Sequence, residues 1–276
     1  MKRNESVLVR ALKFISLTIA VLIVLFPIYS VVVGAFKTQV EYYQSGLTFP
    51  DNWLNIDNFA RVFEIGRLGL GFQNIAIVLL FSLAGNVLIG TMVAYCLSRF
   101  DFALRKPIFG LYLFIQVIPL VTTQVATFGV VKAIGAYNTI WAPVLLYVGA
   151  DVLQITIYMQ FIKSVPRDLD ESAMIEGASY FNIFRSIIFP LLGPATATLI
   201  ILKTISIYND FYIPFLYMPS RKLKVVSTAI YDFVGPNAAQ LNVISAGILL
   251  IFIPTVIVFL LMQRYIFSGV ANGAVK

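Results

Sequence analysis

The chain has 276 residues, 59% of them hydrophobic and only 12% charged, with a net charge of +7. An average soluble domain is nearer a quarter charged, and here apolar runs of about 20 residues recur, each long enough to cross a bilayer as a helix. This excludes an ordinary soluble domain. The apolar runs are continuous rather than alternating, which argues against a membrane barrel, and no His with a single Cys (Cys96) leaves no internal disulfide and no Cys/His zinc cluster.

The predicted architecture is an all-α polytopic membrane protein. A single transmembrane domain over 1–276 holds six helical spans at about 12–36, 72–98, 107–131, 139–162, 190–212 and 241–263. Lys2, Arg3, Arg10 and Lys13 flank the first apolar run. That run is too long for a signal-peptide core and no small-residue cleavage site follows it, so an anchored span is expected. The start of the second is ambiguous over 65–71 (I-G-R-L-G-L-G). Pro27, Pro119, Pro190, Pro194 and Pro254 sit in or near spans, where neighbouring helices can re-satisfy the freed backbone. No internal repeat, low-complexity tract or linker is visible.

Charge orients the spans. With a cytoplasmic amino terminus, the inner segments hold twelve basic residues: Lys2, Arg3, Arg10, Lys13, Arg99, Arg105, Lys106, Lys163, Arg167, Arg185, Arg264 and Lys276. The outer segments hold seven: Lys37, Arg61, Arg67, Lys132, Arg221, Lys222 and Lys224. This bias favours both termini inside and accounts for much of the net charge without nucleic acid. The longest outer loops are about 37–71 and 213–240.

Two charges fall within spans, Asp151 in the fourth and Lys203 in the fifth. Such charges are expensive and face a cavity or each other. Two readings stay open: an ion pair locking two helices, or a lining of the solute path. Gly66, Gly69 and Gly71 make no phosphate loop, and no G-x-x-x-x-G-K-[ST] occurs, so no ATP site of that kind is expected. No nucleophile–base pair or metal cluster suggests catalysis. The many aromatics are more readily explained by lipid-facing packing and interfacial belts than by sugar stacking.

The polar island at 163–189, between spans four and five, carries Asp168, Asp170, Glu171 and Glu176, four of the 13 acidic residues. Pro166 suits a first helical turn, and the acidic cluster complements the helix dipole. Gly177 permits a turn, and Tyr180, Phe184, Ile187 and Ile188 then recur at helical spacing. The expected form is a helix–turn–helix at the cytoplasmic surface leading to Pro190. By these residues alone it could be an ordinary amphipathic loop.

Glu171-Ser172-Ala173, three residues to Gly177, then Ile188-Phe189-Pro190 and Pro194 resembles the EAA loop of ABC importer permeases. Ser172 stands where that family usually has Ala, and Glu176 where Asp is common. Ala94-Tyr95-Cys96-Leu97-Ser98-Arg99-Phe100, Tyr137-Asn138-Thr139 and Tyr208-Asn209-Asp210-Phe211 look like further signatures of carbohydrate-importer permeases, with Tyr208 replacing the usual Trp. The ending through Gly273, Ala274, Val275 and Lys276 resembles that of the maltose-type, MalG-like members.

The resemblance implies a non-catalytic membrane subunit of a prokaryotic ATP-driven importer of a sugar or oligosaccharide, working by alternating access. Its implied partners are a second homologous permease, two ATPase subunits that bind the ATP and Mg, and an extracytoplasmic sugar-binding protein. The coupling residues are then Glu171, Ser172, Ala173, Glu176, Gly177, Ala178 and Pro190, and the tail Gly273–Lys276 would touch the ATPases. Asp151, Lys203, Asn209 and Asp210 are candidates for the translocation path. The rivals are an importer permease for another solute and an ion-coupled secondary transporter. The latter should show internal repeats and broken helices at matched positions, and the sequence reveals neither.

Overall fold

The computed structural model describes residues 7–233 and 240–274, and every regular element among them is helical. In chain order these are α1 (Val7–Ala35), α2 (Gln39–Gln44), α3 (Asp57–Glu64), α4 (Leu68–Arg99), α5 (Arg105–Val117), α6 (Leu120–Ala133), α7 (Trp141–Tyr147) and α8 (Val152–Ser164). There follow α9 (Asp168–Ile175), α10 (Tyr180–Ile183), a π-turn at Phe184–Ile188, α11 (Phe189–Leu191), α12 (Gly193–Asn209), α13 (Tyr212–Tyr217), α14 (Val226–Ala229) and α15 (Leu241–Ala274).

One compact unit comprises Met1–Leu68 and Ala229–Pro254. Beyond Arg10 and Lys13 in its first turns, α1 is apolar on every side, and only 11% of its most apolar stretch is buried, as expected of a helix solvated by lipid. After α1 the chain turns through α2, which has a complete capping box: Thr38 Oγ1 accepts from Glu41 N, and the Glu41 carboxylate accepts from Thr38 N. Asn58 on α3 donates to the carbonyls of Ala35 (2.9 Å) and Lys37 (2.7 Å), and Asn242 on α15 donates to Asn58 Oδ1 (2.8 Å). These amides satisfy carbonyls that the end of α1 leaves free. Lys37 is fully buried, and its ammonium donates to the Ser45 carbonyl and the Thr48 hydroxyl.

The other unit comprises Gly69–Thr228 and Thr255–Lys276. Its long member, α4, is an unbroken 32-residue helix. The ambiguous stretch before it divides at Arg67, whose φ of +50° stops the helix from extending backwards.

Among the described residues, two helices, α1 and α4, are long and apolar enough to cross a membrane unaided, and five crossings result if each bent pair is one span. Residues Leu241–Ile257 add a shorter apolar helix. The expected third, fourth and fifth spans are therefore not single rods. The third breaks at Pro119, which offers no N–H and drives Ile118 into extended backbone. The fourth bends by 50° between α7 and α8, and the fifth by 72° at Leu192–Gly193. No broken helix is visible in the sequence, because an apolar run that holds a proline, as at Pro119, or one charge, as at Asp151, still reads as a single span by length and hydropathy.

Candidate functional site

Two places in the second unit concentrate polar side chains: the island and the break in the fourth span.

In the island, α9 begins at Asp168, so Pro166 lies before the helix rather than in its first turn. Asp168, Asp170 and Glu171 occupy that first turn, at the positive end of the dipole. The helix ends in a Schellman motif: Ala178 N donates to Ala173 O (2.9 Å) and Gly177 N to Met174 O (3.0 Å). Gly177 has φ +86°, and an added Cβ would meet nothing within 4 Å. The position therefore demands glycine for its backbone and not for space. Glu171, Ser172, Glu176, Gly177 and Pro190 are exposed, whereas Ala173 and Ala178 pack partly inward. Exposed Met174 and Ile175 add apolar surface beside the carboxylates.

Beyond the turn, Ser179 caps the short α10, which passes into the π-turn. The π-turn shifts the expected face: Phe184 and Ile188 are buried, but Tyr180 is 56% exposed. Phe184 and Ile188 share a core with Ala94, Tyr95, Tyr158 and Ile162. Thus the A-Y-C-L-S-R-F segment ending α4 is packed on the island. Tyr95 meets Phe100 edge-on (5.5 Å) and lies tilted against Phe184 (5.4 Å), and Phe100 meets Tyr180 edge-on (5.0 Å).

The residue that sequence reading missed is Arg99. Its Nε lies 2.7 Å from Asp170 Oδ2, with side chains only 7% and 12% exposed, and its Nη2 donates to Val165 O (3.0 Å) at the end of α8. One guanidinium thus joins α4, α8 and α9. The signal was present, because Arg99 closes a quoted motif and Asp170 is the buried member of the acidic cluster.

At the break, Asp151 does not sit in the body of a helix. It is the extended N-cap of α8, its Oδ1 accepting from Gln154 N (2.9 Å). Its Oδ2 lies 3.4 Å from Lys203 Nζ, with Lys203 22% and Asp151 43% exposed. Asn86, midway along α4, donates to Gly149 O at 2.8 Å and lies 3.4 and 3.5 Å from the Tyr147 and Val148 oxygens. It answers the carbonyls that the end of α7 leaves free. Buried Gln154 returns a hydrogen bond to Asn86 O (3.0 Å) and lies so close to Gly90 that a Cβ there would fall 2.4 Å from its Nε2. Asn86, Asp151, Gln154, Lys203 and Ser206 line a cavity of about 200 Å3. Asp210 is placed separately: it accepts from the Tyr147 hydroxyl (2.9 Å) and from Ile213 N (3.2 Å), and Asn209 is exposed beside it.

The Tyr137-Asn138-Thr139 segment is a turn. Asn138 adopts φ +56°, its N–H donates to Tyr217 O (2.9 Å) and its Oδ1 accepts from Ser220 N (3.1 Å). Tyr217 in turn donates to Gln124 Oε1 (3.0 Å), and burial pushes its phenol above the usual value, so it remains a neutral donor. Of the tail, Gly273 and Ala274 form the end of α15, while Val275 and Lys276 lie outside the described residues. Among the described residues no group of three or more His, Cys, Asp or Glu could hold a metal ion.

Residues 86–272 match the binding-protein-dependent transport system inner membrane component family. The chain belongs to this family. The melibiose/raffinose/stachyose import permease protein MelC of Bacillus subtilis (strain 168) is 33% identical over 252 residues, 91% of each chain. The fold is similar to the crystal structure of a bacterial ABC transporter involved in the import of the acidic polysaccharide alginate, with a TM-score of 0.81 at 18% identity over 96% of this chain and 99% of that one. A second structure, a bacterial alginate ABC transporter in complex with an alginate pentasaccharide-bound periplasmic protein, gives 0.66 at 19% identity, covering 94% of both. The island, the Arg99 motif and the break all fall within the family match.

Proposed function

We propose that this chain is the membrane permease subunit of an ATP-driven importer of oligosaccharides. The observation that carries the reading is near full-length similarity to an oligosaccharide import permease. Six crossings with both termini cytoplasmic fit the basic-residue bias and the three bent pairs. A second related permease, two ATPases and an extracytoplasmic binding protein complete the assembly.

In this reading the island is a helix–turn–helix coupling loop. The exposed faces of Glu171, Ser172, Glu176 and Gly177, with Met174 and Ile175, enter a cleft on the ATPase. ATP drives the switch only because the closed ATPase pair binds it more tightly, shifting the permease between inward- and outward-facing states. The tail, including Gly273–Lys276, contacts the ATPases.

The break in the fourth span is part of the path for the sugar. Non-helical backbone at membrane depth is tolerated where it is buried in protein or lines a cavity, and the half-open Asp151–Lys203 pair offers a donor and an acceptor to hydroxyl groups. Uptake of labelled oligosaccharides in cells with the gene deleted and restored tests the reading, together with co-purification of an ATPase. Unchanged uptake, or no ATPase partner, would count decisively against it.

A further inference from the structure

The coupling loop and the cavity at the break lie at different heights on one helix. Arg99, at the end of α4, pairs with Asp170 on α9 and hydrogen-bonds Val165 at the end of α8. Asn86, on the same helix, holds the Gly149 carbonyl at the break, and Gly90 makes room for Gln154. From Asn86 to Arg99 is thirteen residues (99 minus 86), or about 20 Å at 1.5 Å per residue. Nothing interrupts α4 between them, whereas the third, fourth and fifth spans are all bent.

We infer that Arg99 is the joint through which displacement of α9 is passed to α4, and that α4 delivers it as a rod to the Asn86 carbonyl contacts and so to the Asp151–Lys203 cavity. The inference rests on the permease reading and extends it. A joint must be tight, and a 2.7 Å ion contact with side chains only 7% and 12% exposed, beside one hydrogen bond from Nη2 of the same guanidinium to Val165 O, ties three helices at one side chain, although Arg99 Nε itself makes no hydrogen bond among the described residues. Tyr95, Phe100 and Tyr180 line one side of it. Asp170 Oδ1 has no hydrogen-bond partner among the described residues. Arg99 Nε is without one too, so the guanidinium has a second oxygen to turn to when α9 moves. The receiving element is the 50° bend between α7 and α8, whose free carbonyls and Asp151 cap can shift with Asn86. Arg99 is a positioning residue: it touches neither solute nor nucleotide.

The test uses the complete reconstituted complex with its binding protein. Cys96 is exposed and is replaced first (Cys96→Ser), after which Ser206→Cys places a reporter thiol in the cavity. Its labelling by a membrane-impermeant maleimide is measured with and without ATP. With Arg99 intact, ATP should change the labelling rate. Arg99→Lys and Asp170→Asn should each shrink that change, and solute moved per ATP should fall ~10-fold, within the range of ordinary allosteric couplings. A variant complex that assembles and still shows the full ATP-dependent change overturns the proposal. So does failure of both conservative variants to assemble, because the pair would then be a folding element. A reporter complex with Arg99 intact in which ATP changes the labelling but no oligosaccharide moves contradicts the substrate reading, and the loss of that change in the Arg99 and Asp170 variants then decides the joint by itself.

Discussion

Arg99 meets Asp170 at 2.7 Å with both side chains nearly sealed, whereas Lys203 meets Asp151 at 3.4 Å with 22% and 43% of the side chains open. Both pairs lie in the same unit and join elements far apart in sequence. The first lies beside Tyr95, Phe100 and Tyr180 at a small cavity of about 140 Å3 and shares its cation with a helix end. The second borders a cavity of about 200 Å3, and its carboxylate already serves as the cap of α8. Enclosure raises the cost of removing one partner, because the survivor is left charged in a poor solvent. A less enclosed pair at a polar cavity leaves its survivor other polar groups to turn to and loses less stability when cut. In the proposed permease the sealed pair suits the transmission of force, and the open one the exchange of partners with a passing solute.

The comparison breaks most visibly at Arg99. Arg99→Met strands Asp170 and should destabilise the purified complex by ~3–5 kcal/mol, seen as a large drop in Tm. If Lys203→Met lowers Tm as much, the contrast between the pairs is wrong. Next comes Asn86→Leu, which removes the donor facing the Gly149 carbonyl and its neighbours. It should cost ~1–3 kcal/mol and lower the yield of folded protein in detergent. Full yield would mean that water replaces the amide.

Gly177 probes the loop without touching either pair. Gly177→Val forces a branched residue to φ +86° at a cost of ~1–2 kcal/mol and should abolish transport, whereas Gly177→Asn should keep most of it. Equal transport in the two variants would show that the turn does not matter. The smallest stability effect belongs to Lys203→Met, ~0–1 kcal/mol, with a clear loss of uptake. Adding Asp151→Asn separates the two roles: a locking pair regains uptake in the double variant, and a path-lining pair does not. The cavity predicts no recovery.

Much of this was readable in the sequence. The apolar runs, the acidic first turn of α9 and the glycine at its end all follow from local chemistry, and the Schellman motif needs only residues 173–178. The break at 149–151 was not readable, because Asp151 reads equally well as a charge in the body of a helix and as a cap, and only the Asn86 amide, 63 residues before Gly149, shows that the α7 carbonyls end there. The Arg99–Asp170 pair was hidden for the same reason. Each residue looked self-sufficient in its own segment, Arg99 as a flanking inner-face charge and Asp170 as a dipole partner, and only tertiary packing buries both.

The outward-facing surface of α1 has a consequence for how the protein is made. With 11% of its apolar window buried by its own chain, α1 owes its place to the lipid and can partition during synthesis on hydropathy alone. The later spans carry Asn86, Asp151, Gln154 and Lys203, whose hydrogen-bonding and ionic partners lie mostly on other helices: Asn86 and Asp151 wait for later chain, whereas Gln154 and Lys203 need earlier segments to be still at hand. Biogenesis is therefore ordered: an early helix that inserts at once, then a group of polar, bent helices that the translocon must retain until they find one another. A glycosylation-tagged fragment containing only residues 1–40 should integrate efficiently, and one containing only 139–165 should integrate poorly until 68–100 is supplied.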